Sequence, residues 1–442
     1  MLLVIDSFRA DKFYGERKTS LTPNLDKLLD KGILFSTTVS SAPSSIPAIS
    51  SILTGRYPFS TLYLEKDIYN LKKDTPTFIH ELKNNGYQTH ATIPKILTLM
   101  NLEHIFDENI DQYDDELTLY DGIGEKVLEK IKILNNEEPW FYYLHLNDIH
   151  GQAKFHKENI PEEFFEQKYG NNQYDRMISL MDKWLGKIFE KIDFRKTMLI
   201  VTADHGSNVG AFNEEMDLIS DSEREKVYVK KSYLIKIGQK ITNHLPVCFS
   251  PLRKKLSQKY KEKRDTKVEE KTNLRLNEID LTESSSYKKR ILKNMITAMP
   301  ELYDDRFLIP LLYTGMSIEN KKIIHHQVRS VDIFPTIFAL LKIKNNFSTH
   351  GKNLLPLIEN KEMNEEPAYL ETHTNVQEGI RSHFVGIRTS KFKYFRGIKE
   401  QQEIFLYDLE KDPLEEDNIA KSSKEIVNQM ESTLNSIKSQ KM

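Results

Sequence analysis

Apolar residues in this chain fall into short continuous runs. Between the runs, apolar residues recur every three or four positions. Four runs stand out: LLVI at 2–5, FYYLHL at 141–146, TMLIVTA at 197–203 and FLIPLLY at 307–313. Their length and unbroken apolar character predict strands covered on both faces, as in a parallel sheet. Helical periodicity marks TPNLDKLLDKG (22–32), PTFIHELKNNGY (76–87), YDRMISLMDKWLGKIFEKI (174–192) and SVDIFPTIFALLKI (330–343). The alternation of the two patterns predicts an α/β fold with a doubly wound, mostly parallel sheet flanked by helices. Pro23 suits the first turn of its helix, and Gly32 the C-terminal cap.

Two regions depart from this rhythm. Residues 211–300 are polar and rich in lysine, and read as a variable insert in a domain spanning 1–364. From 365 to 442 the pattern is that of a small C-terminal α+β subdomain. There FVGIRTSKFKYFRG and EIFLYDLEKDP predict a short antiparallel sheet, and SSKEIVNQMESTLNSI a final helix.

Composition narrows the class. With 39% hydrophobic and 29% charged residues, the 442-residue chain suits a soluble globular protein. A net charge of −2 gives no overall field toward nucleic acid, so no such partner is expected. The lysines and arginines of 226–275 form a local exception, which suits a solvated face or contact with a membrane surface or partner. The single cysteine, Cys248, excludes an intrachain disulfide. Asp6 interrupts the first apolar run, so no signal peptide is read there, and no apolar stretch of about 18 residues occurs. The expectation is a cytoplasmic protein.

The chemistry concentrates where strands end. Asp6 follows the first strand; alone it suits an N-cap or a salt bridge with Arg9. VTADHG (201–206) adds Asp204 and His205 at the end of another strand, and Gly206 to allow a turn. In an open α/β sheet both ends emerge at the ligand-binding edge. A carboxylate beside an imidazole suits a divalent metal of intermediate hardness. The serine-crowded SSAPSSIPAISSILTGRYP (40–58) supplies hydroxyls, with AISSILTG predicting one or two helical turns that end at Gly55. Ser45 then sits at a loop-to-helix junction, where free N–H groups favour an anion. A hydroxyl there serves as an N-cap or, beside a metal, as a ligand and nucleophile.

These residues, in this order, resemble the sulfatases of the alkaline-phosphatase superfamily over nearly all of the chain except about 211–300. VIDSFRAD and VTADHG resemble the two metal strands. SIPAISSILTGRYP resembles the active-site signature, and YLHLNDIHGQ the segment that carries a substrate-binding histidine. SVDIFPT and the tail resemble the remainder. The resemblance implies metal ligands at Asp6, Ser45, Asp204 and His205, a nucleophile at Ser45, and a catalytic, substrate-binding histidine at His150. Lys95 lies one position off the spacing of a substrate-binding lysine, and Asp148 reads as a turn residue or a helper of a second metal.

The implied cofactor is one divalent ion, Ca²⁺ first, with Mn²⁺ or Zn²⁺ admitted by His205. The implied substrate is a sulfated or phosphorylated small molecule, glycan or lipid headgroup. Two departures stand out. Ser7 replaces a second acidic residue, and Ile49 replaces the arginine read by the enzyme that makes formylglycine. The expectation is therefore a metal-dependent sulfate- or phosphate-ester hydrolase acting through a Ser45-derived nucleophile. A phosphodiesterase or phosphonate monoester hydrolase, a phospho-headgroup transferase, and a non-catalytic binder of anionic glycans are the alternatives.

Overall fold

The apolar runs become the middle of one large sheet. The structure, a computed structural model, describes residues 1–65, 68–100, 102–106, 109–136, 139–150, 161–209, 285–297, 302–316, 318, 321–344, 346–372, 384–398 and 403–440. The strands begin with β1 (Leu2–Ile5), β2 (Gly32–Val39) and the hairpin of β3 (Leu62–Glu65) and β4 (Ile68–Leu71). They continue with β5 (Gln88–Pro94), β6 (Ile110–Tyr113), β7 (Trp140–Leu146), β8 (Leu199–Thr202), β9 (Leu308–Thr314), β10 (Lys322–Ile324) and β11 (Val328–Arg329). The main sheet runs β10-β2-β9-β8-β1-β7-β5-β6, with β11 also pairing β2. The four helical patterns form helices at Pro23–Leu29, Phe78–Asn84, Gln173–Phe189 and Ile333–Leu340.

Alternation along each strand feeds two cores. Leu3 and Ile5 pack on one face with Leu144, Val201 and the helix Gln173–Phe189. Leu2 and Val4 pack on the other with Tyr143, Ile200, Phe78 and Ile333. Every side chain of β1 is buried, each contributing about 1.5–3 kcal/mol of transfer free energy. Burial on both faces is why the runs show no polar alternation.

Two details differ from the sequence reading. FLIPLLY is apolar like its neighbours, yet β9 runs antiparallel to both β2 and β8. Continuous apolarity reports burial on two faces and says nothing of direction. Pro310 lies in this central strand where the register with β2 shifts between Phe35 and Thr38, and its carbonyl accepts from the Thr202 hydroxyl at 2.8 Å. Gly32 does not cap the helix before it: the cap is Asp30, and Gly32 opens β2. A Cβ there would lie 2.7 Å from Leu312 Cδ1 and 2.9 Å from the Leu28 carbonyl, so close packing explains the glycine.

The tail forms a second, antiparallel sheet of β12 (Ala368–Glu371), β13 (Phe384–Arg388), β14 (Phe392–Gly397) and β15 (Ile404–Asp408). Helix Lys424–Ser439 covers it through Met430, Leu434 and Ile437, in one cluster with Tyr57 and Val331 of the preceding body. Residues 210–284, including the lysine-rich 226–275, lie outside the described residues. The end of the expected insert is a helix, Ser286–Thr297, that buries Tyr287, Ile291 and Leu292. Among the described residues no helix is long and apolar enough to cross a membrane.

Ion pairs tie the tail to the main sheet. Asp304, just before β9, pairs with Arg388 at 2.8 Å and Lys393 at 2.7 Å, and Lys393 also meets Glu415 at 2.9 Å. Burial opposes the Asp304 charge, but the two cations hold its carboxyl well below the usual range. Removing this carboxylate takes that partner from buried Arg388 and leaves Lys393 with Glu415, so Asp304→Ala should cost about 3–5 kcal/mol. Urea unfolding at neutral pH measures this, and the loss should shrink when Arg388 is replaced by Met in the same chain.

Candidate active site

The site forms where β8, β1 and β7 end side by side. All three run in the same direction, so their carboxyl ends share one edge. Asp6 leaves β1, and its N–H donates to the Leu146 carbonyl of β7 at 2.8 Å. The next residue, Ser7, takes φ of 62°, which turns the chain sharply. Its N–H then donates to Asp204 Oδ1 at 3.1 Å and its hydroxyl to Asp6 Oδ1 at 2.6 Å. Ser7 thus ties the two carboxylates together. The expected alternative for Asp6, a bridge to Arg9, is absent among the described residues: Arg9 pairs with Asp11 and Asp305.

Asp204 and His205 follow β8. The His205 N–H donates to Asp204 Oδ1 at 2.7 Å, while Asp204 Oδ2 is buried without a hydrogen-bond partner among the described residues. His205 Nδ1 lies 2.8 Å from the Gly206 carbonyl. That acceptor fixes the proton on Nδ1 and leaves the Nε2 lone pair facing Asp204 Oδ2 at 3.6 Å. Gly206 is needed for contact more than for turning: a Cβ there would lie 2.2 Å from the Asp305 carbonyl.

Ser45 comes from the fourth direction. β2 ends at Val39, and the serine loop leads into a helix, Ser45–Thr54, longer than the one or two turns read from the sequence. Ile49, Ile52 and Leu53 bury one side of it, and Gly55 closes it with φ of 65°. Ser44 occupies the N-cap position without a side-chain capping bond, and Ser50 packs with its hydroxyl on the Pro47 carbonyl. The Ser45 hydroxyl donates to Asp6 Oδ2 at 3.0 Å and lies 3.5 Å from His205 Nε2.

Asp6, Asp204 and His205 each offer a ligand atom, all within 4.8 Å of one another and all buried. Burial and the neighbouring Asp6 charge push the Asp204 carboxyl up to about 7. Burial also opposes ionisation of Asp6, but interactions with His150 and His145 hold it well below the ordinary range. Burial drives His205 down to about 4, so its ring is neutral. Two buried carboxylates, an orphaned oxygen and a neutral imidazole fit a divalent cation.

His150 joins this centre, with Nε2 3.8 Å from Asp6 Oδ1 on the partly exposed rim. Lys95 does not. Its ammonium, 58% exposed, is held at 2.6 Å by Asp114 at the end of β6, three strands from β1 in the sheet order. Asp148 is a turn residue: its Oδ1 accepts from the Leu119 N–H at 3.0 Å, and burial pushes it to about 7. Sequence reasoning missed His145, hidden inside an apolar strand. It also missed Arg306, which donates to the Pro43 carbonyl and bears electrostatically on His205.

Residues 1–343 match the family model named Sulfatase. The chain belongs to the sulfatase family. Residues 300–440 match a second model, the C-terminal part of N-sulphoglucosamine sulphohydrolase. The fold is shared with solved structures at low identity. A 2-O GAG sulfatase, BT1596, is 15% identical with a TM-score of 0.64, covering 98% of this chain and 90% of its own. The phosphonate monoester hydrolase of Agrobacterium radiobacter is 14% identical with a TM-score of 0.63, covering 100% and 95%. BT4656, solved with its substrate D-glucosamine-2-N,6-O-disulfate, is 15% identical with a TM-score of 0.63, covering 99% and 98%. This sulfatase-family protein is a sulfuric or phosphoric ester hydrolase, and the family's metal dependence agrees with the Asp6–Asp204–His205 cluster.

The proton on Asp204 makes metal binding pH-dependent. Below about 7 the ion must displace it, so apparent Ca²⁺ or Mn²⁺ affinity should rise with pH, up to about tenfold per unit, and level off above 7. Calorimetry in buffers of different ionisation enthalpy should register proton release at pH 6 and little at pH 8. Asp204→Ala should abolish binding at either pH while near-ultraviolet circular dichroism stays native.

Proposed function

We propose that this enzyme is a metal-dependent hydrolase whose unmodified Ser45 attacks the ester, with phosphate esters as its preferred class. The observation that carries this reading is the Ser45 hydroxyl, 3.0 Å from Asp6 Oδ2 and 3.5 Å from His205 Nε2, at the first turn of a helix. A divalent cation held by Asp6, Asp204 and His205 supplies Lewis-acid polarisation of the ester and favours the ionised form of the nearby hydroxyl. Ca²⁺ suits the two hard carboxylates; the His205 nitrogen also admits Mn²⁺ or Zn²⁺.

The chain's own groups do the rest. Asp6 accepts from Ser45 and so aims its oxygen. The uncapped first turn of Ser45–Thr54 directs N–H groups at the non-bridging oxygens of the ester. Arg306 lies beside His205 and adds positive charge for an anionic group. On ionising, Ser45 gives its proton to solvent; its Oγ then bonds to phosphorus as the bond to the leaving oxygen breaks, and His150 protonates that oxygen. Water then attacks the phosphoserine and regenerates Ser45.

Ile49 favours phosphate over sulfate. It stands where the signature for formylglycine formation has arginine, and it can supply neither charge nor forked donors. In the folded enzyme it is fully buried, so no guanidinium is offered from that turn. Without an aldehyde hydrate, the hydrate route for expelling covalent sulfate is closed, whereas a phosphoserine remains hydrolysable. The second reading is a sulfate ester on a glycan. The substrate bound by BT4656 and the activity named for BT1596 favour it, as the Agrobacterium enzyme favours phosphorus esters.

Mass spectrometry of the peptide spanning Ser45 should give unmodified serine; a dominant species two hydrogens lighter would mean formylglycine and a sulfatase. Phosphate mono- and diesters should turn over faster than aryl sulfates with the same leaving group. Ser45→Ala should lower kcat by about 10⁴-fold, and His150→Ala by about 10²-fold or more. The His150 loss should grow as the leaving alcohol becomes less acidic, the signature of a lost proton donor.

A further inference from the structure

We propose that Tyr143 and His145, two alternate residues of β7, form a positioning pair that sets the orientation of the Asp6 carboxylate. The inference rests on Asp6 being a metal ligand. The parallel register pairs Val4 with His145, which places His145 diagonal to Asp6 on the same face of the sheet. Tyr143 packs on that face too, in the core with Leu2 and Val4. His145 is fully buried, and its Nε2 lies 3.8 Å from Asp6 Oδ2. Its Nδ1 lies 3.1 Å from the Tyr143 hydroxyl.

Among the described residues the buried Nε2 has no partner within hydrogen-bond distance, which demands an explanation. If the ring is neutral and Tyr143 donates to Nδ1, the proton sits on Nε2. If the ring is charged, Nε2 again carries a proton. The one other arrangement sets the Nε2 lone pair against the lone pairs of a carboxylate, which is repulsive. Nε2–H therefore faces Asp6 Oδ2. Four groups divide cleanly between the oxygens of Asp6: Ser7 and His150 attend Oδ1, while Ser45 and His145 attend Oδ2. Of these, His145 is fixed from behind by Tyr143 and is held in the strand itself. Its carbonyl is anchored too, accepting from the Tyr113 hydroxyl at 2.7 Å. It is not in the group of mutually close ligand atoms, so it acts through Asp6.

Partners of this kind behind a ligating carboxylate are worth about 10–100-fold in metal affinity. Ca²⁺ titration of the full chain by calorimetry, without substrate, reads the effect. His145→Leu should weaken binding about 10–100-fold. His145→Gln keeps a donor and should stay within about threefold of the parent chain. Tyr143→Phe, which frees the ring, should fall between them and decides the matter if the leucine variant does not fold. Unchanged affinity in His145→Leu and Tyr143→Phe overturns the proposal, as does an equal loss for Gln and Leu. Complete loss in every His145 variant makes His145 a ligand and overturns it too. No Ca²⁺ binding by the parent chain would instead overturn the metal site on which the proposal rests.

Discussion

Two carboxylates in one buried place are the constraint around which this molecule is arranged. At about 4 Å and an effective dielectric near 20, like charges repel by about 4 kcal/mol. Asp6 and Asp204 are brought together because neighbouring strands end together, and the surrounding groups answer the repulsion. Ser7 turns left-handed to donate to both, and histidines stand on three sides of Asp6. The raised Asp204 carboxyl is the rest of that response.

Topology makes the meeting possible. Parallel strands send successive chain segments to the same edge, so residues distant in sequence arrive as neighbours without long loops. The one reversed strand contributes from its other end: β9 starts where its neighbours finish. Its approach segment brings the Asp305 backbone against Gly206 and Arg306 toward Pro43. The proline in β9, lodged at a bulge of β2, sits close to that same edge.

Much of this was legible in the sequence. Asp6, Asp204 and His205 could be read because each ends an apolar run, and strand ends carry function in this architecture. Ser45 needed the family resemblance, since a serine before a helix is more often a cap. β2 and β5 escaped because their polar residues are buried: Thr38, Thr89, His90 and Thr92 sit inside, and Thr92 meets the Tyr142 hydroxyl at 2.7 Å. Periodicity sees a polar interruption where the fold supplies a partner. His145 escaped for the opposite reason, as one polar letter in an apolar strand. Lys95 had nearly the right spacing, but Asp114 captures its ammonium at the surface.

Asp305 binds together two parts of the chain that lie far apart in sequence. It holds Arg9 at 2.9 Å, and Arg9 in turn grips the Ser207 carbonyl at 2.6 Å, just past the His205 turn. The same carboxylate takes the Tyr287 hydroxyl at 2.6 Å and Arg290 at 3.2 Å, on the helix where the described chain resumes. The departure and return points of residues 210–284 are thus moored to one side chain. A change at Asp305 would therefore loosen together the strand end that carries His205 and the helix Ser286–Thr297.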